Sequence, residues 1–406
     1  MNLFKTSPIL KNKSLIFLLL AKSFNTFAFQ MLTVGVGWQM YTITQSAFYL
    51  GLVGLVQFVP MVLLTLIVGY VADNFDRKLI IFISLISESI AIFSLAFESY
   101  EGHMTKEGIL ITMFLIGTAN AFQGPPMTSL LPNVVSKEFF PKAAALSASA
   151  SQFAVIIGPA LGGILYIFGV FVVYCIVGVL GILASILILF VSVEHKKYKS
   201  EPVTRKSVFL GVSFIKSKPI ILGAISLDLF AVLFGGATAL LPVYASKILF
   251  IGSFGLGLLR SAPAVGALIM SVFLARKPLN RNVGKIMFFA VIVFGMATII
   301  FAVSKSFILS MTALFFLGAA DVISMVIRST LVQIATPDNM RGRVNSVNQM
   351  FIGTSNQLGE FESGITAGFF GVVPAVFIGG IGTIVVAIAW MKLFPELVDI
   401  NSMKSF

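Results

Sequence analysis

Eight charged side chains fall well inside long apolar runs of the sequence, away from their ends: Lys22, Glu88, Asp228, Arg260, Asp321, Arg328, Glu360 and Glu362. An ionisable group in hydrocarbon costs on the order of several kcal/mol and is rare unless it has a partner or a task. A carboxylate in such a place can exchange a proton as its surroundings change, and a cation can hold an anion. Asp321 and Arg328 are seven residues apart and share a helical face. Glu360 and Glu362 are two apart and point to different faces. Arg260 and Glu360 fall at comparable depth in their runs, which predicts an Arg260–Glu360 pair. Glu88, among Ser84, Ser87 and Ser89, reads as structural. The first apolar run also carries Asn25 and Gln30 beside Lys22, and a late one carries Asn348, Gln349, Asn356 and Gln357. A helix facing only lipid would not carry these groups, so both are expected to line a polar path. Asp228, Asp321 and Glu360 are the candidates for proton exchange, and Lys22, Asn25, Gln30, Arg260, Arg328 and Asn356 those for binding a small molecule.

The remaining reactive residues do not make a catalytic set. One Cys (Cys175) and two His (His103, His195) leave little for a Cys/His metal site and nothing for an intrachain disulfide. No Gly-x-x-x-x-Gly-Lys-Ser/Thr loop is present to cradle a nucleotide. Neither a metal nor a cofactor is expected. Hydrophobic residues make up 58% of the 406 and charged ones 11%, less than half the usual quarter. Mean hydropathy is +1.01. A soluble globule could not cover itself with so little polar surface. These figures exclude a cytosolic enzyme, a secreted disulfide scaffold and a disordered chain, and imply an all-α integral membrane protein.

Apolar runs long enough to cross the hydrocarbon, roughly 20 residues, number twelve: 15–38, 47–71, 79–99, 108–131, 141–168, 170–193, 219–246, 253–275, 283–304, 307–334, 343–369 and 372–394. Inside lipid a backbone must bond to itself, so these are helices. They lack the short alternation of a membrane barrel. Of the 28 Lys and Arg, 22 fall on one side of these spans and three on the other. Basic loops stay in the cytoplasm, which puts both termini and the loop 194–218 inside and His103 and His195 on opposite faces. The net charge of +12 is thus a topology signal and not a nucleic-acid footprint. The first run continues past the length of a signal peptide and lacks a small-x-small cleavage site, so it is read as an uncleaved helix. The division expected is 1–193 and 219–406, six helices each, joined by the cytoplasmic linker 194–218.

The two halves resemble each other. TSLLPNVVSKEFFPKAAALS from Thr128 aligns with STLVQIATPDNMRGRVNSVN from Ser329, and the same offset of 201 takes Gly158 to Gly359 and Gly163 to Gly364. Gln57-Phe-Val-Pro60 matches Arg260-Ser-Ala-Pro263. Transporters duplicated in this way hold substrate near the bilayer midplane and work by rigid-body rocking.

Two motifs carry a family resemblance. Gly69-Tyr-Val-Ala-Asp73-Asn-Phe-Asp76-Arg77-Lys78, between the second and third spans, resembles the signature Gly-x-x-x-Asp-Arg/Lys-x-Gly-Arg-Arg/Lys of the major facilitator superfamily (MFS). Asn74 and Asp76 depart from it, and Arg276 stands where the second half would repeat Asp73. Gly158-Pro159-Ala-Leu-Gly162-Gly163 in the fifth span is similar to the motif found in exporters of that family. Its proline kinks a helix, and its small residues permit a close neighbour, expected to be the eighth span. Leu256-Gly-Leu-Leu-Arg260-Ser-Ala-Pro263 and Ser355-Asn-Gln-Leu-Gly359-Glu360 resemble the enterobactin-exporter-like branch.

The resemblance implies the MFS fold of two six-helix pseudo-repeats. It implies a secondary active exporter, with Gly69, Asp73, Arg77 and Lys78 as a gating latch and proton exchange as the driving force. It implies a siderophore as substrate, with the cytoplasmic (inner) membrane of a bacterium as location and a monomer as the working unit. Relatives in the same broad group export macrolides or move lysophospholipids. The family's usual Arg in the fourth span is absent from Gly117–Pro126.

Overall fold

The computed structural model describes residues 12–136, 138–192, 205–277, 279 and 281–402, without the side chains of Thr65, Leu66, Asp73, Asp338, Asn339, Ser346 and residues 205–209. The described residues form helices and no strand. In chain order these are α1 (Lys13–Thr44), α2 (Ala47–Asn74), α3 (Arg77–Tyr100), α4 (Lys106–Val134), α5 (Phe140–Tyr166), α6 (Val170–Leu189), α7 (Arg205–Ser217), α8 (Pro219–Phe234), α9 (Leu241–Val243), α10 (Gly252–Arg276), α11 (Val283–Val303), α12 (Phe307–Ile334), α13 (Asp338–Phe370), α14 (Val372–Leu393) and α15 (Pro395–Val398). Local chemistry sets several ends. Thr105 caps α4 by accepting from Gly108 N–H, and Pro219 opens α8, where its missing N–H costs nothing. Gly169 and Gly371 precede α6 and α14 with φ of +105° and +89°, values that L side chains avoid. Each follows a Phe and precedes a Val, a further pair of equivalent turns.

Ten helical segments are long and apolar enough to cross a membrane. Of the twelve spans expected, α4 and α13 are the two outside that set. Three prolines interrupt α4, at 125, 126 and 132. Along α13 lie Arg341, Arg343, Asn348, Gln349, Asn356, Gln357, Glu360 and Glu362. Two expectations need correction. The seventh span is not one continuous helix: after α8 the chain breaks at Gly235-Gly236 and continues as a 3₁₀ turn (Ala237–Leu240), α9 and a π turn (Tyr244–Ile248). At the break a Cβ on Gly236 would strike the carbonyl of Gly359, so α13 can approach this closely only because the residue is glycine. The loop 194–218 is also not wholly irregular, because α7 forms within it and buries Ile215 in the core of the second half.

The packing groups the chain into two compact units, Met1–Ile43 with Val56–Val203, and Thr44–Leu55 with Thr204–Phe406. The start of α2 thus packs with the second unit. In the first, Leu18, Ala21, Ile81, Leu85, Leu130, Ala184 and Ile188 join α1, α3, α4 and α6. In the second, Ile221, Leu227, Met287, Phe288, Ile327, Leu331, Val347 and Ala387 join α8, α11, α12, α13 and α14. Outward faces remain apolar, as at Leu63, Ile90, Phe153, Phe289 and Ile308. An apolar side chain gains little by leaving lipid for a helix interface, so close backbone approach and polar contacts must hold the helices. Equivalent glycines supply that approach. Gly117 of α4 meets the backbone of Gln57 on α2, and Gly318 of α12 meets that of Pro263 on α10. The pseudo-repeat read from the sequence is therefore repeated in the packing.

Candidate functional site

A buried ion pair joins α8 to α12. Arg328 Nη2 lies 2.6 Å from Asp228 Oδ1, with both residues 8% exposed. The charge of Arg328 also acts on Asp321, one face along α12, as does that of Asp228. Seven-residue spacing correctly put Asp321 and Arg328 on one face. It did not reveal that the guanidinium bonds Asp228, because a contact between helices leaves no local spacing signal. Arg328 is consequently neutralised within its own unit and is not a free cation for a ligand.

A second cluster lies where α13 meets the break after α8. Glu360 is the acid acting on Arg260, and Arg260 the cation acting on Glu360. Among the described residues the two form no direct ion pair. Arg260 Nε and Gln357 Oε1 are buried without a hydrogen-bond partner. Glycines bring the backbone close around this point. Gly51 of α2 stacks on Gly364, and a Cβ added to Gly54 would lie 2.7 Å from Glu360 Oε2 and 3.2 Å from Gln357 Oε1. Gly359 faces the carbonyls of Val232 and Leu233 on α8. Glu362 points elsewhere and accepts from Thr366 Oγ1 at 2.7 Å. Asn356 is exposed, and its amide donates to the Ile352 carbonyl of its own helix. The signals for this cluster that the sequence reading passed over are Gly51, Gly54 and the Gly235-Gly236 pair.

In the first unit Lys22 of α1 is half-buried, and its Nζ donates to Ser147 Oγ of α5 at 2.9 Å. Among the described residues it meets no carboxylate. Asn25 is half-buried on the same helix. Near the far end of α1, Tyr166 OH donates to Gln39 Oε1 at 2.6 Å. Glu88 is buried on α3, and its Oε2 has no hydrogen-bond partner. Among the described residues no three His, Cys, Asp or Glu side chains converge as metal ligands would.

A family model described as Major Facilitator Superfamily matches residues 18–359. The chain belongs to the Major Facilitator Superfamily. Across 98% of its length this MFS transporter is 23% identical to the enterobactin exporter EntS of Salmonella typhi, covering 95% of that protein. It is 24% identical to the uncharacterized MFS-type transporter YjbB of Bacillus subtilis, over 82% of this chain and 83% of that one. A crystal structure of a bacterial homolog to the human lysosomal transporter Spinster superimposes with a TM-score of 0.74 at 15% identity, covering 94% of this chain and 96% of that one. At that identity the likeness concerns the fold alone.

The family motifs can be placed on this MFS fold. Gly69 lies near the end of α2 and Arg77 and Lys78 open α3, while the side chain of Asp73 lies outside the described residues. Asp76, the departure from the signature, caps α3: its Oδ1 accepts from Lys78 N–H at 2.8 Å and Leu79 N–H at 3.4 Å. On α5, Gly158, Pro159, Gly162 and Gly163 are all buried. Within their own unit the first and third of these meet α1. A Cβ on Gly158 would lie 2.6 Å from Gln30 Cβ, and one on Gly162 3.0 Å from Met31 Cα. Gly158→Leu should therefore destabilise the first unit, by about 1–3 kcal/mol for an overpacked site. Thermal unfolding in detergent measures it, and an unchanged midpoint would mean that α1 and α5 separate freely there.

Proposed function

We propose that this MFS transporter is a secondary active exporter of a small anionic molecule, a siderophore by preference, driven by proton exchange through alternating access. Lys22 carries the reading. A positive charge within a span that lacks a carboxylate partner is unstable in lipid unless an anion visits it. Siderophores present catecholate or carboxylate oxygens that suit an ammonium donor. Asn25 and Gln30 on α1, with Arg260 and Asn356 in the second unit, are the further candidates to touch substrate. Arg328, tied to Asp228, is not among them. The similarity to an enterobactin exporter over nearly the whole chain favours export, and Glu360, beside a cation without a direct pair, is our candidate for the exchanging carboxylate.

In this reading the protein works as a monomer in the inner membrane of a bacterium, as bundles 1–193 and 219–406 joined by the linker 194–218, with both termini inside. A reporter fused after Ser200 should behave as cytoplasmic and one at Gly102 as external; the reverse would overturn the orientation. For the substrate, extracellular siderophore is compared between a deletion strain and its parent under iron limitation. Release should fall in the deletion strain, return with the wild-type gene and stay low with Lys22→Met. Unchanged release would refute siderophore export. Full rescue by Lys22→Met would refute the role of Lys22.

A further inference from the structure

We propose that Asp321 and Ser324 form a monovalent-cation site, filled by a proton or a sodium ion, at the cavity between α8, α11 and α12. Charge balance is the first argument. Arg328 and Asp228 neutralise each other at 2.6 Å, while Asp321 has no ion pair among the described residues. One guanidinium thus serves two carboxylates inside a span, and the cluster carries one uncompensated negative charge. Arg328 cannot neutralise Asp321 without abandoning Asp228, and stripping a buried charge of its partner is severely unfavourable.

Geometry is the second argument. Asp321, Ser324 and Arg328 line one cavity, walled by Val232, Val291 and Phe294. It has room for about one water molecule. Ser324 is 2% exposed, and its hydroxyl has no hydrogen-bond partner. Residues 321 and 324 are three apart, so carboxylate and hydroxyl face the same way along α12. Oxygen donors of this kind suit a small hard cation, and a protonated carboxyl would equally use the hydroxyl as its acceptor. The charged neighbours are Asp228 on α8 and Arg328 on α12. Val291 and Phe294 on α11 bring no charge, α14 brings Thr383 to the Ala231 carbonyl, and Arg260 on α10 acts on Glu360 of α13. The site goes beyond the export reading and stands whether or not Glu360 exchanges a proton.

The test uses the purified full chain in detergent, without substrate. Thermal unfolding is followed in sodium chloride or choline chloride of equal strength, at mildly acid and mildly alkaline pH. If sodium fills the site, it should raise the alkaline midpoint relative to choline, by about 2 °C or more, and the gain should shrink on acidification as protons compete. If a proton fills it, sodium should do nothing, and a protonated-carboxyl band in infrared difference spectra should vanish in Asp321→Asn. Either result supports the site, provided that Asp321→Asn loses the response and Ser324→Ala weakens it about tenfold in apparent affinity or shifts that band. Ser324→Ala leaves every charge in place and keeps the test decisive if Asp321→Asn folds poorly. A wild-type response that survives both substitutions, or no wild-type response in either arm, would overturn the proposal.

Discussion

Arg328→Met should cost about 3–5 kcal/mol of stability, the usual toll for stripping a buried ion pair of one partner. The guanidinium is 2.6 Å from Asp228 and is the cation acting on Asp321. Its removal leaves Asp228 buried between α8 and α12 without its counter-charge. Volume is not the cause, because Met fills much of the same space. The double variant Asp228→Asn with Arg328→Met should therefore recover most of the loss, since it removes the stranded charge along with its partner. Unfolding midpoints of the wild type, the two single variants and the double variant in one detergent close the cycle, and the interaction energy is the shortfall from additivity. If the double variant is as unstable as the sum of the singles, the two side chains are not coupled and the contact between α8 and α12 rests on packing alone.

Much of the fold was legible in the sequence because a membrane offers few choices. A run of apolar residues must be a helix in lipid, so the ends expected for the tenth span coincide with α12, and most others agree within a few residues. The repeat was legible because Gly158 and Gly359 serve the same purpose: each lets a helix settle on the first span of its own half, Gly158 at Gln30 and Gly359 at Val232. The break at Gly235-Gly236 was missed because a hydropathy run continues through it unchanged. Only the close approach of Gly359, a residue far along the chain, reveals why no side chain fits there. Charged positions were legible one by one, as ionisable groups that lipid does not tolerate idly. Their partners were not. Spacing along one helix reports which side chains share a face, whereas Asp228 and Arg328 meet across two helices a hundred residues apart. The Arg260–Glu360 expectation rested on comparable depth in two spans, which is a necessary condition for contact and not a sufficient one. The two interact through their charges without forming a direct pair.

Glu360→Gln should abolish uphill export driven by a proton gradient while leaving downhill exchange of substrate largely intact. The substitution keeps the side chain's shape, which matters where Glu360 Oε2 lies against Gly54 and a neighbouring glycine stack leaves no room for bulk. It also removes the group's ability to carry a proton. An amide resembles the protonated carboxyl, so the variant should be held in the proton-loaded form, able to exchange substrate in both directions and unable to draw on the gradient. Arg260 provides the contrast. With Glu360 ionised, its guanidinium shares the burden of a buried negative charge; in Glu360→Gln it stands alone, with Nε already lacking a hydrogen-bond partner. Some loss of stability is therefore expected and must be measured separately, or a folding defect would pass for an energetic one. Vesicles with an imposed pH gradient give the first readout, counterflow at equal pH the second and thermal unfolding the third. Retained accumulation in response to the gradient would remove Glu360 from the coupling role. With Asp228 bound to Arg328, that role would pass to Asp321, the remaining candidate carboxylate without an ion pair among the described residues.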